Sequence, residues 1–284
     1  MKTATLALLL LSAATLWGQV DTIIPIHPPE VTAQGKTADM ASPKVFTLAG
    51  DDLVPQIANG ELGGGQIFFT EWRMQNITDQ EAEVDISYFD SDGDPLSLPS
   101  LDNDGQVRNY IGILTLVAGR GIQYGGTWPI GAPVQVGYAR VISDPPGAVV
   151  VTALYNNLVP GVPLFQAAIP MTTRNHNRFF VPYGNLGGQR SSVAVVSLTA
   201  QTITVNARNP QGQIECTFSR AMTAGSHYPF IVQSELPCAV ENEGVIEIAG
   251  PEPTLGGVGF TAQPADGNPG TGAFTTLQVA GPTP

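Results

Sequence analysis

The sequence predicts an all-β protein built from two antiparallel β-sandwich domains in tandem. Three observations carry that expectation. Gly (32) and Pro (24) recur between short apolar runs, as turn residues do between strands. Within those runs, apolar and polar residues alternate, most clearly where Val84, Ile86 and Tyr88 interleave with Glu83, Asp85 and Ser87, the period of a half-buried strand. The second half of the chain also repeats the order of the first.

From the N-terminus, residues 1–19 read as an export signal. Lys2 is its positive end, Ala4 to Leu11 its apolar run, and the small residues beyond suit cleavage near Ala14 or Gly18. The run is too short to span a bilayer, which takes roughly 20 apolar residues. No cysteine lies near the cleavage region for a lipid anchor, and no later segment is long and apolar enough for a membrane span. The expected location is therefore secreted, extracellular or at the cell surface. Residues 20–44 contain Pro25, Pro28 and Pro29 without sustained periodicity and read as an arm or linker.

Residues 45–172 are expected to form the first sandwich and residues 173–284 the second. Strands are expected at Gln66 to Asn76, Glu83 to Tyr88, Ile111 to Val117, Val134 to Ser143 and Ala148 to Tyr155, with no helix outside the signal. Gly63-Gly64 recurs as Gly187-Gly188, Ala118-Gly119 as Ala224-Gly225, and Gly137 to Val141 as Gly244 to Ile248. Val149 to Ala153 matches Val258 to Ala262, and Phe165 to Ala168 matches Phe274 to Leu277. The offsets vary mainly because the first copy carries an inserted loop near Pro99 to Asn109. A period near 110 residues fits duplication of a whole domain better than a solenoid.

Several turn and core signatures fall in a set order: Gly63 to Gly65, Asn76 to Thr78, Glu83 to Phe89, Asp90 to Leu96, Ala118-Gly119, Gly137 to Val141 and Gly272 to Leu277. In that order the chain resembles secreted bacterial tandem β-sandwich proteins of immunoglobulin-like type, over about residues 55–280. The resemblance implies immunoglobulin-like sandwiches and transfers no catalytic residue.

Charge is segregated. Residues 51–104 hold thirteen Asp and Glu against Arg73, whereas residues 105–214 hold seven Arg against Asp144. A net charge of -12 argues against nucleic acid and anionic membranes as partners, since both would repel it. Cys216 and Cys238, an even count in an exported chain, are expected to form a structural disulfide.

Asp90-Ser91-Asp92-Gly93-Asp94 is the most suggestive short motif, because alternating carboxylates on a tight turn can converge on calcium. Asp102 and Asp104 could join Asp90, Asp92 and Asp94 in space. The helical calcium-loop pattern fails, with Pro95 and Leu101 where Gly and an acid are required. The competing reading is a hairpin turn in which Gly93 supplies positive φ, and no cofactor other than calcium is expected. The second copy has Asn209-Pro210-Gln211-Gly212 in place of the acidic turn, so a cation site would belong to the first copy alone.

Trp72, in an alternating strand, suits the core. Tyr124 and Trp128 in a Gly-rich stretch, and Tyr183 between Pro182 and Gly184, are candidate binding aromatics on sandwich loops. His27, His176 and His227 lack ligand spacing for zinc, and no nucleophile elbow, zinc-protease motif or phosphate loop occurs. The expected function is that of a secreted, noncatalytic structural or adhesive protein whose partner is an extracellular protein or glycan. The alternatives are a carbohydrate-binding module using the loop aromatics, and a self-associating filament subunit whose arm adds a strand to a neighbour.

Overall fold

The computed structural model describes residues 51–262 and 274–277, apart from 64, 99, 102–106, 109–111, 127–131, 160–163, 170 and 174–175. The described residues are almost all antiparallel β, as the composition and periodicity predict. The first half contains β1 (Asp51–Gly63), β2 (Gln66–Asn76), β3 (Ala82–Asp90), β4 (Ser100–Leu101), β5 (Val107–Arg108), β6 (Gly112–Leu116), β7 (Gly121–Gly126), β8 (Gln135–Asp144), β9 (Val149–Leu158) and β10 (Phe165–Ile169). The second contains β11 (Thr172–Thr173), β12 (Arg178–Gly184), β13 (Arg190–Ser197), β14 (Gln201–Arg208), β15 (Ile214–Met222), β16 (Ser226–Ile231), β17 (Glu243–Ala249), β18 (Leu255–Ala262) and β19 (Phe274–Leu277), with one short helix, α1 (Val232–Glu235), before β17.

Pairing shows the duplication directly. In the first half β1-β8-β3-β6 faces β7-β2-β9-β10, and in the second β12-β17-β14-β15 faces β16-β13-β18-β19. Strand for strand the order is the same. The halves differ at β1, which pairs with β8 through Asn59 and then turns to pair with β2 from Gly60. That switch joins the first half's two sheets at one edge. The inserted stretch near Pro99 to Asn109 is more than a loop, since β4 pairs with β5 and with the end of β7.

Each half builds a core between its two sheets, the first also taking Ala194 and Val258 from the second. Trp72, Met74, Val84, Ile86, Val141 and Val151 fill the first, and Phe179, Val181, Val193, Val205, Ile246 and Ile248 the second. The alternation of β3 is realised as expected, with Val84, Ile86 and Tyr88 buried and Glu83 exposed. Trp72 packs against Tyr88 with ring centroids 5.9 Å apart.

Gly137 and Gly244, matched in the two copies, have a common cause. A Cβ on Gly137 would collide with the Phe89 carbonyl, and one on Gly244 with the Arg208 carbonyl, at the end of the paired strand in each half. Glycine permits that approach.

The match of Val149 to Ala153 with Val258 to Ala262 is off by three residues. Val149 pairs with Asn76, and Leu255 pairs with Ser197 at the same place in the second sheet, so Val149 corresponds to Leu255. An odd slip exchanges the two faces of a strand. The chain in fact sets Val151 and Ala153 opposite roles filled by Gly257 and Gly259, whose absent side chains make room for Phe179 and Val181.

Candidate functional site: the junction between the halves

The acidic turn after β3 is an Asx turn. Asp90 Oδ1 accepts hydrogen bonds from the backbone N–H groups of Asp92 and Asp94, both at 2.9 Å. The Asp90 N–H donates to the Asp94 carbonyl, and Gly93 takes a φ of 90°. The second copy builds the same turn without a charge: Asn209 Oδ1 accepts from Gln211 N–H at 3.1 Å and Gln213 N–H at 3.0 Å, and Gly212 takes a φ of 80°. An amide oxygen therefore does the work of the Asp90 carboxylate. Among the described residues no three of His, Cys, Asp and Glu are grouped so as to hold a metal ion. Asp102 and Asp104 lie outside the described residues.

The turn is also where the halves meet. A Cβ on Gly93 would lie 2.7 Å from the carbonyl oxygen of Gly225, so the Asp92-Gly93 turn sits directly on the Ala224-Gly225 turn of the second half. The equivalent Gly119 turn of the first half has nothing within 4 Å of its glycine.

Next to this contact, His227 on β16 reaches across the junction and is 4% exposed. Its Nε2 is 3.1 Å from Gln56 Oε1 on β1, its Nδ1 is 3.3 Å from Ser91 Oγ, and its backbone N–H donates to the Ser91 carbonyl at 3.0 Å. The Gln56 amide nitrogen donates to the Ile57 carbonyl, so its oxygen accepts from the imidazole. That fixes the proton on Nε2 and leaves Nδ1 to accept from the Ser91 hydroxyl. Leu53, Tyr138 and Val196 close an apolar cluster around the site, and Phe89 stacks on Tyr138 at 5.1 Å.

A serine hydroxyl beside an imidazole invites comparison with a nucleophile and its base. Here the electrostatics oppose that use. Burial lowers His227 to about 3, against which the hydrogen bond that its ring N–H donates to the Pro55 carbonyl acts only partly. An imidazole with so little proton affinity is a poor base at neutral pH. The position orienting it is filled by the neutral amide of Gln56.

The apolar contact continues along the second half's β16-β13-β18-β19 sheet. Ala194 and Val258 belong to the first half's core cluster, and Tyr155 meets Phe260 at 5.7 Å. The first half's equivalent sheet instead presents Arg73 and Gln75 to solvent on that face. A run of apolar residues from Val193 to Val196, rather than an alternation, is the sequence trace of a strand covered on both faces.

The remaining candidates fall elsewhere. Tyr183 lies in strand β12 rather than a loop and is 4% exposed, with its ring in the second core. Its buried hydroxyl has no hydrogen-bond partner among the described residues. Tyr124 pairs with Trp72 within β7, and Trp128 lies outside the described residues. Cys216 and Cys238 form a disulfide that links β15 to the segment after α1, closing a sequence separation of 22.

A second buried polar group, Glu247 on β17, receives Arg208 at 2.6 Å, Asn206 at 3.1 Å and Arg178. Burial alone would raise this carboxyl. The bonds from Asn206 and Arg208 and the charges of Arg178 and Arg208 outweigh it and hold the group below its ordinary value.

Sequence reasoning set His227 aside for want of metal-ligand spacing and gave Ser91 no role beyond the acidic turn. Their partnership spans 136 residues, and no local pattern marks it. No family model, curated protein or solved structure matches the chain.

Proposed function

We propose that the chain is an extracellular, noncatalytic structural or adhesive protein that works as one two-sandwich unit. The observation that supports this most is the use made of its polar residues. Asp90, Asn209, Gln56, Ser91, His227 and Glu247, the groups best placed to look like chemistry, are each committed to a turn, to the junction or to a sheet. The disulfide suits an oxidising compartment. No helix among the described residues is long and apolar enough to cross a membrane, which accords with a chain released from the cell or held at its surface by contacts.

Binding of the fluorescently labelled chain to intact cells and to separated envelope proteins and glycans tests the reading. Saturable retention on one of these fractions is expected. Absence of retention together with turnover of a panel of glycoside and ester substrates would overturn it. Light scattering on the eluting protein, with and without millimolar calcium, separates a monomeric adhesin from a self-assembling one.

A further inference from the structure

We propose that the junction is an acid-released latch: protonation of His227, enclosed between Gln56 and Ser91, parts the two sandwiches while each keeps its own fold. The idea stands on placement, independently of what the protein binds. His227 reaches from the second half to Gln56 and Ser91 of the first, and both its ring nitrogens are engaged there. Adding a proton at Nδ1 turns an acceptor into a donor. The Ser91 hydroxyl must then reverse, and a positive charge stands in a site closed by Leu53, Tyr138 and Val196.

Among the described residues the Pro55 carbonyl, which accepts a hydrogen bond from the ring, favours the added charge, and no carboxylate pairs with it. On β1, Asp52 has a carboxyl itself raised by burial, Asp51 and Glu61 lie toward the two ends of the strand, and Gln56 is neutral. On the turn, Asp90 spends its Oδ1 on the backbone of Asp92 and Asp94, whose own side chains lie on the exposed turn. On β8, Tyr138 is 6.4 Å from the imidazole, centroid to centroid, and is pushed up to about 12, chiefly by burial. Arg140, the cation of that strand, stands over Phe89. On β9, Tyr155 is raised by burial and hydrogen-bonds Gln56. On β13, the residue paired with His227 is Val196.

Two features make parting at the junction the response rather than collapse of the whole. The second half's core lies between its own two sheets, and the first half's core is built on its own two sheets with Ala194, Val258 and Phe260 of the second half at its margin. The polar contact is local: the imidazole's bonds to Gln56 and Ser91 stand beside the Gly93-Gly225 approach and the His227 N–H bond to the Ser91 carbonyl, so displacing the imidazole removes two bonds of the junction beside the apolar seam of Ala194, Val258 and Phe260. In the parted state His227 recovers its ordinary value of 6.5 from about 3. The parted-to-closed ratio then rises about tenfold for each pH unit below 6.5, roughly 100-fold by pH 4.5.

The test is small-angle scattering and far-ultraviolet circular dichroism on the full chain at pH 7.5 and 4.5, for the native protein and His227→Gln. Gln keeps a donor and an acceptor but does not titrate. A larger radius of gyration at pH 4.5 with the β signal retained, in the native chain alone, is expected. No expansion of the native chain, equal expansion of the variant, or expansion accompanied by loss of the β signal would each overturn the latch. If the variant fails to fold, an NMR titration of the native His227 imidazole decides instead. Protonation that coincides with increased amide exchange confined to β1, the Asp90 turn and β16 supports the proposal, and protonation without it refutes the proposal.

Discussion

At the scale of single residues, two glycines with positive φ separate conformational strain from contact. Gly93 at 90° meets the Gly225 backbone, whereas Gly147 at 75° has nothing within 4 Å of where its Cβ would stand. Ala at either position adopts a conformation that costs L-residues about 1 to 2 kcal/mol. Gly93→Ala also forces the two turns apart, adding about 1 to 3 kcal/mol as overpacking does. Denaturant titration should therefore show Gly93→Ala clearly less stable than Gly147→Ala, and equal losses would mean that the turn contact contributes nothing.

Asp90 gives a second test at this scale. Because Asn209 makes the same pair of bonds in the second copy, Asp90→Asn should leave the melting temperature almost unchanged, while Asp90→Ala should cost about 1 kcal/mol by releasing the Asx turn. Millimolar calcium should shift neither protein. A calcium-dependent rise in melting temperature that Asp90→Asn abolishes would restore the cation reading.

At the scale of elements, β15 is an edge strand that among the described residues pairs with β14 alone, and the disulfide from Cys216 is a further attachment. Closing a loop of this length is worth about 3 kcal/mol in the chain-entropy account. Reduction should lower the denaturant midpoint accordingly and should raise amide exchange in β15 before it does so in β13 or β14. Uniform exchange after reduction would show that the strand needs no such tie.

The duplicated strands also show which elements are legible. The alternation of β3 reveals both its secondary structure and its buried face. The apolar run of β13 reveals a strand, but not that its outer side lies on another sandwich. Matching Val149 with Val258 rested on likeness of residues. Hydrogen-bond register, which decides the faces, instead matches Val149 with Leu255.

At the scale of the molecule, stability should depend on pH in two windows. His227 has a folded value depressed to about 3 from 6.5, so its contribution is complete above pH 6.5 and is lost as the pH falls toward 3, by about 1.4 kcal/mol per unit. Glu247 is also depressed, from 4.5, so its contribution is complete above 4.5 and disappears only as the pH falls further. Asp52 and Asp85, raised by burial and in the case of Asp85 opposed by Arg140, work in the other direction as they protonate.

Chemical denaturation between pH 7.5 and 3 should accordingly show the first losses of stability well above the carboxylate range. Glu247→Gln should cost roughly 1.5 to 3 kcal/mol at neutral pH, as lost hydrogen bonds to a charged group do, and progressively less below 4.5. A cost that stays constant across that range would mean that the ion cluster contributes through packing alone.

The amino-acid sequence by itself determined the β class, the two-copy organisation, a turn at Asp92-Gly93 with positive φ at Gly93 and the pairing of Cys216 with Cys238. Each depends on short-range pattern, on composition or on the count of one residue type. Only the tertiary structure decided that Tyr183 belongs to a core, that the Asp90 turn rests on Gly225, and that His227 lies between Gln56 and Ser91. The reason is physical: backbone alternation and turn chemistry act over a few residues, whereas a buried contact between two halves is selected by which surfaces meet. The two copies carry the same turns, yet one Ala-Gly turn is covered and the other stands in solvent. Nothing local distinguishes them, and the fold assigns one to the junction because the apolar outer face of β13 and β18 brings it there.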